Sequence, residues 1–364
     1  MLRPVQLLPL ILITMFLSCS NDQSYRYAIK DFRKSLHPYL LKIVSRGIVM
    51  HSDSCLRNMA TDNELIQLSK SEHPVLRASA FKEILHRKSF HHFDNLMNHL
   101  DDTAMVIVDQ GEFGLSHQTV SDDILQGARW KTQDAKRKTI DNVLTKHNYL
   151  TSAYQILSEI APQEKYYSLI KDMATRPRRL SYEGYELGFD DIEYALYGLA
   201  KFKKKGDVKI IKMQLLDNNW RLSHISFRLM TEFPDTAYID ILRAHHRWQF
   251  YNFSGNRRGG FSGYVTDRSD PEDFIQALVV QQNERSAKLL DTMLTFLPKQ
   301  TCMPDKENIL KEVRMQIWKH PCPAYARLRE NIKFKAKETL ISNFEVPSEY
   351  PTEPTDTTTE TIRW

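Results

Sequence analysis

Glycine is scarce in this chain: 12 among 364 residues, four of them between Gly255 and Gly263. Elsewhere only eight remain for the tight strand-to-strand turns that favour glycine, so helices are expected rather than a fold rich in β-hairpins. No Gly-x-Ser-x-Gly elbow and no nucleotide fingerprint is present, and Gly255-Asn256-Arg257-Arg258-Gly259-Gly260 lacks the Lys-Ser/Thr ending of a phosphate loop. No cofactor is expected. Cysteine is sparse too, with four residues at no metal-ligand spacing, and the histidines His86, His91, His92 and His99 lack the tight i, i+4 pairing of a zinc site.

Negative charge is concentrated at one end. Residues 345–364 hold five acids against Arg363, whereas the body between Arg3 and that tail holds 48 basic against 40 acidic residues. A mild excess of this kind suits contact with anionic surfaces, but no DNA- or RNA-binding signature accompanies it, and no nucleic acid is expected.

The N-terminus reads as a targeting signal. Arg3 supplies a short basic region, Leu7 to Leu17 an apolar run of about eleven residues, too short to span a bilayer, and Phe16-Leu17-Ser18-Cys19 closes it. This resembles a bacterial lipoprotein signal, with Ser18 as the small residue before the cysteine. The resemblance implies removal of residues 1–18, acylation (palmitate among the chains) of Cys19 as the first mature residue, and lipid anchoring to a membrane of the cell envelope. Several acyl chains together give durable attachment where one is marginal. Residues 19–26 then form a linker.

From 27 to 344 the pattern is helical. Pro38 interrupts the first helix, Thr61-Asp62-Asn63-Glu64 has capping-box spacing, and Pro74 to Leu85 followed by Phe90 to Leu100 reads as a helical hairpin. Two such helices cannot bury their faces alone and need stacked neighbours. Met105-Val106-Ile107-Val108 is a short strand or a buried helical turn. Ile192, Ala195, Leu196, Leu199 and Ala200 give the strongest helical period, which Lys203-Lys204-Lys205 and Gly206 are expected to close. Further helices are expected near 135–146, 150–160, 164–173, 208–216, 221–233 and 236–246, one starting at Pro271 with Asp270 as its cap, and others near 284–297, 306–320 and 324–341. Residues 345–364, rich in Pro, Thr and Glu, read as a disordered tail. The fold class expected is all-α.

Pro74, Leu76, Arg77 and Ala80 stand where HEAT-like repeats place Pro, Val, Arg and Ala. The chain therefore resembles an α-solenoid of degenerate HEAT-like hairpins with long loop insertions. The resemblance implies Arg77 at an inter-repeat seam and a concave surface that binds another protein of the envelope.

The candidate contact loop breaks the helical pattern between Arg247 and Arg268. Arg247, Arg257, Arg258 and Arg268 offer planar forks for carboxylate or phosphate, and Trp248, Phe261 and Tyr264 are among six aromatics, beside a single acid, Asp267. A different reading makes the chain a polysaccharide-binding protein or hydrolase using Glu112, Asp122 or Asp123. Cys302 and Cys322 are a candidate disulfide, although the helix between them, about 22 Å long, requires both flanking loops to fold back within the ~7 Å reach of a bridge.

Overall fold

The computed structural model describes residues 29–50, 54–87, 92–111, 114–128, 130, 132–176, 189–217, 222–245, 271–299 and 306–338. It is mostly helical, with one three-stranded sheet. The described residues fall into two compact units, the first ending at Ala153 and the second beginning at Tyr154.

In the first unit Pro38 lies in the opening turn of helix α1 (His37–Arg46), where its missing N–H is no loss, and Gly47 ends that helix at φ 68°. Strand β1 (Ile48–Val49) and helix α2 (Ser54–Met59) lead to α3 (Asp62–Leu68). Thr61 caps α3 as expected: its hydroxyl accepts from the Glu64 N–H while Glu64 accepts from the Thr61 N–H at 2.7 Å. Thr61→Ala is expected to cost about 1 kcal/mol, read as a lower urea midpoint with an unchanged slope.

Helix α4 (Pro74–His86) is the centre of this unit. Val75, Leu76, Ala78, Ala80, Phe81 and Ile84 are all buried, and they face several directions. A helix apolar all round must be surrounded, and α4 packs on α1, α2, α3, β1 and helix α5 (His92–Asn98). The loop expected between α4 and α5 lies outside the described residues.

Strand is the outcome at Met105. Strand β2 (Met105–Asp109) pairs parallel to β1 and antiparallel to β3 (Leu115–Thr119), with Ile107 opposite both Ile48 and His117. The chain is mostly helical, consistent with the all-α expectation, and this small sheet is an addition to it. Val106 and Val108 point inward, while Gly111 and Gly114 turn the hairpin at positive φ. Helix α6 (Val120–Gly127), which packs on α4, and helix α7 (Gln133–Lys146) follow, before α8 (Thr151–Glu159).

The second unit repeats one device. A single 3-10 turn precedes α9 (Tyr167–Thr175); helix α10 (Phe189–Ala200) and another 3-10 turn precede α11 (Val208–Asp217); α12 (His224–Glu232) and a third precede α13 (239–245). Then α14 (Pro271–Val279) and a capped turn lead to α15 (Glu284–Phe296), and α16 (Lys306–Lys319) with a last 3-10 turn leads to α17 (Ala326–Glu338). The last side chain of each 3-10 turn, Tyr166, Asp207, Tyr238 and Tyr325, is sealed from solvent, and so is Ser286 in the first turn of α15. Four residues before them stand Pro162, Pro234 and Pro321, or else Lys203 and Gln282, the two non-glycine residues with positive φ among those described. Each turn is thus made in one of two ways, by a proline or by a left-handed residue.

The helices before these turns pack in succession: α10 on α12, α12 on α14 and α14 on α16, with α9 also against α10. Gly198 allows this closeness, since a Cβ there would stand 3.1 Å from the Leu157 Cβ and 3.4 Å from the Ile170 Cγ2.

The end of α10 differs from expectation. The helix stops at Ala200, so the lysines lie beyond its last turn, and Lys203 rather than Gly206 takes the left-handed conformation, at φ 53°.

Candidate functional site

Arg77 is held on four sides. Its Nε and Nη2 donate to the two Asp102 carboxylate oxygens at 2.6 and 2.8 Å, and its Nη1 donates to the Ser71 and Glu72 carbonyls at 2.8 and 2.9 Å. Such a bidentate, half-buried pair fixes the turn after α5 to the start of α4. With every fork of the guanidinium engaged, its role is to clamp.

The acids offered for a hydrolase, Asp122 and Asp123, both lie on α6 and both are buried. Asp122 accepts from the Thr119 hydroxyl and the Ser152 N–H, each at 2.8 Å. Asp123 faces Lys82 of α4 at 3.0 Å and accepts from the Gln118 amide at 2.8 Å through the same oxygen, Oδ1; Oδ2 has no hydrogen-bond partner among the described residues. Burial pushes the Asp123 pKa up, against the pull of Lys82 and Gln118. These are neighbours in an ion-paired core, whereas glycosidase chemistry needs two carboxyls facing across a cleft. Glu112 lies outside the described residues.

The histidines divide similarly. His147 caps α7 and sits 3.3 Å from Asp101, and His99 sits 3.9 Å from Asp102; burial lowers both pKa values. His245 is buried edge-on to Phe227, with ring centroids 5.0 Å apart. Among the described residues no group of three His, Cys, Asp or Glu side chains is arranged to hold a metal ion.

In the second unit most of the basic run is spent on neighbouring elements. Lys201 donates to the carbonyls of Leu157, Ser158 and Ile160 at 3.0, 2.6 and 3.0 Å, capping the exposed end of α8. Burial, with Arg228 nearby, holds its pKa down at about 8. Lys203 pairs with Glu232 at 3.0 Å, and Lys204 pairs with Glu164 at 2.7 Å while lying 3.3 Å from the centre of the Tyr167 ring. Asp207, 1% exposed, accepts from the Tyr167 hydroxyl at 3.0 and 3.1 Å and pairs with Lys171 at 3.2 Å. Ser223 both caps α12 and donates to the buried Glu193 of α10. Tyr325 donates to the Val279 carbonyl and meets the Ser286 hydroxyl, both at 2.8 Å. Each of these bonds links one hairpin to the next. Sequence reasoning missed them because the partners stand 29 to 46 residues apart.

The predicted contact residues Arg247, Trp248, Arg257, Arg258, Phe261, Tyr264 and Arg268 lie outside the described residues, as do Cys19 and Cys302. Among the described residues no helix is long and apolar enough to cross a membrane. Compared with protein families, with curated proteins and with solved structures, the chain matches none.

Proposed function

We propose that the protein is a lipid-anchored envelope scaffold: an α-solenoid of HEAT-like hairpins, tethered through acylated Cys19, that binds another envelope protein and performs no catalysis of its own. The observation that supports this reading best is the recurring turn of the second unit, in which Tyr166, Asp207, Tyr238, Ser286 and Tyr325 occupy one sealed position while successive helices pack in a row. Units that contact only their neighbours build extended surfaces, which serve recognition rather than enclosing a reaction. The loop carrying Arg247, Trp248, Arg257, Arg258, Phe261, Tyr264 and Arg268 is the contact element in this reading. The hydrolase alternative draws no support from Asp122 and Asp123, whose carboxylates are turned inward.

Two measurements test the proposal separately. Cells fed a labelled fatty acid are expected to incorporate it into the parent protein and not into Cys19→Ser; label in both, or neither, overturns the anchor. Crosslinking in the envelope is expected to capture a specific protein that is lost with Arg257→Ser/Arg258→Ser, at equal amount and equal circular dichroism. Capture of the same proteins by both forms removes the loop from the scaffold.

A further inference from the structure

The repeat register makes one helix stand apart. On α11 the positions that face outward are Lys209, Lys212, Met213 and Leu216, spaced i, i+3, i+4 and i+7 and therefore on one face. Met213 is 56% exposed and Leu216 40%, the only large apolar side chains so exposed on the post-turn helices among the described residues. Lys205 continues the stripe in the preceding turn. No carboxylate pairs with Lys205, Lys209 or Lys212 among the described residues, in contrast to Lys171, Lys203 and Lys204. The only acid of α11 is its last residue, Asp217.

Counting from the sealed position, the corresponding stripe of α9 carries Asp172, that of α15 carries Asp291 and Thr292, and that of α17 carries Glu330. At their described side chains those faces are mixed in charge and polar, as water-facing helices are. Among the described residues only the α11 face combines lysines without a carboxylate partner with exposed methionine and leucine.

We infer that this face of α11 rests on an anionic lipid surface. Lysine flanking exposed apolar side chains is the composition of helices that lie at a lipid headgroup boundary, the ammonium groups on anionic headgroups and the apolar groups just beneath them. A protein partner fits less well, because lysine is depleted from protein interfaces, where aromatics and arginine dominate. Each lysine near an anionic surface strengthens association roughly fivefold. The inference rests on the proposed envelope location only for the presence of a membrane, and it goes beyond the tether by fixing which side of the second unit meets the lipid.

The full chain mixed with phosphatidylcholine vesicles, with and without phosphatidylglycerol, is the direct test, with hydroxyl-radical oxidation of Met213 as the readout. Oxidation is expected to fall roughly fivefold or more only where phosphatidylglycerol is present, and Lys209→Glu/Lys212→Glu is expected to abolish the protection. Lys288→Glu, at the matching place on α15, is expected to leave it intact. Equal oxidation on both vesicle types overturns the lipid assignment; protection on both, or without vesicles, gives the face to a second copy of the chain or another protein and overturns it too. Retention of the chain on washed vesicles is scored apart, so failure of the tether is distinguishable from failure of this face.

Discussion

Replacement of Lys82 by methionine is expected to destabilise the first unit by about 3–5 kcal/mol at neutral pH. The substitution keeps the volume of the side chain on α4 but leaves Asp123, 4% exposed, without its cation. The loss should depend on pH in a definite direction. Burial already raises the folded-state pKa of Asp123 above its ordinary 3.8, so as pH falls the folded protein takes up the proton before the unfolded chain does. The charged carboxylate therefore burdens the fold above that pKa and ceases to do so below it. Without Lys82 the folded pKa rises further, and the deficit of the variant shrinks as the solution is acidified toward about pH 4. Urea unfolding at neutral and acidic pH, with hydrogen exchange in α4 and α6 to localise the change, is the measurement. Lys82→Met/Asp123→Leu should recover most of the stability, since a buried pair is replaced by packed apolar groups. A deficit that ignores pH would sink the assignment of this pair.

Tyr238→Ala is expected to cost about 3–5 kcal/mol, because it empties a fully buried site in the second unit. The conservative variants carry the sharper information. The Tyr238 hydroxyl has no hydrogen-bond partner among the described residues, and burial raises its pKa, so Tyr238→Phe should be neutral or slightly stabilising. Tyr325 occupies the same place in its turn, but its hydroxyl bonds the Val279 carbonyl and Ser286, and burial pushes its pKa up to about 12. Tyr325→Phe should therefore cost about 1–3 kcal/mol. Urea midpoints for the two phenylalanine variants decide the matter, and the reverse order would show that the hydroxyls are not used as described.

The parts of the fold that depend on short-range chemistry were readable from the residues. Pro38 restarting a helix, the Thr61–Glu64 capping box and Pro271 opening α14 all need only neighbours within one turn. The strand at Met105 stayed ambiguous because Val-Ile-Val suits a buried turn as well, and its partner, Leu115-Ser116-His117-Gln118-Thr119, shows no apolar alternation. The recurring sealed turn was hidden for a different reason. Its marker is a place, sealed at the start of the second helix, filled by tyrosine three times, by aspartate once and by serine once; shape and burial define it, not residue type. The lysines after α10 looked like a helix end because their carbonyl and carboxylate partners on α8, α12 and the turn before α9 are remote in sequence. The acids of α6 read as a candidate catalytic pair only while their partners, Lys82, Gln118 and Ser152, were unknown.

The bonds that join successive hairpins have a kinetic consequence. Glu193 to Ser223 spans 30 residues, Asp207 to Lys171 spans 36 and Ser286 to Tyr325 spans 39. Because the entropy of closing a loop grows only slowly with its length, each of these contacts costs little more to make than a shorter one would. Every new turn can be sealed as soon as the hairpin beside it exists. Folding of the second unit is then expected to advance from one packed helix pair to the next, a segment already emerged from the ribosome giving the following one a surface on which to settle.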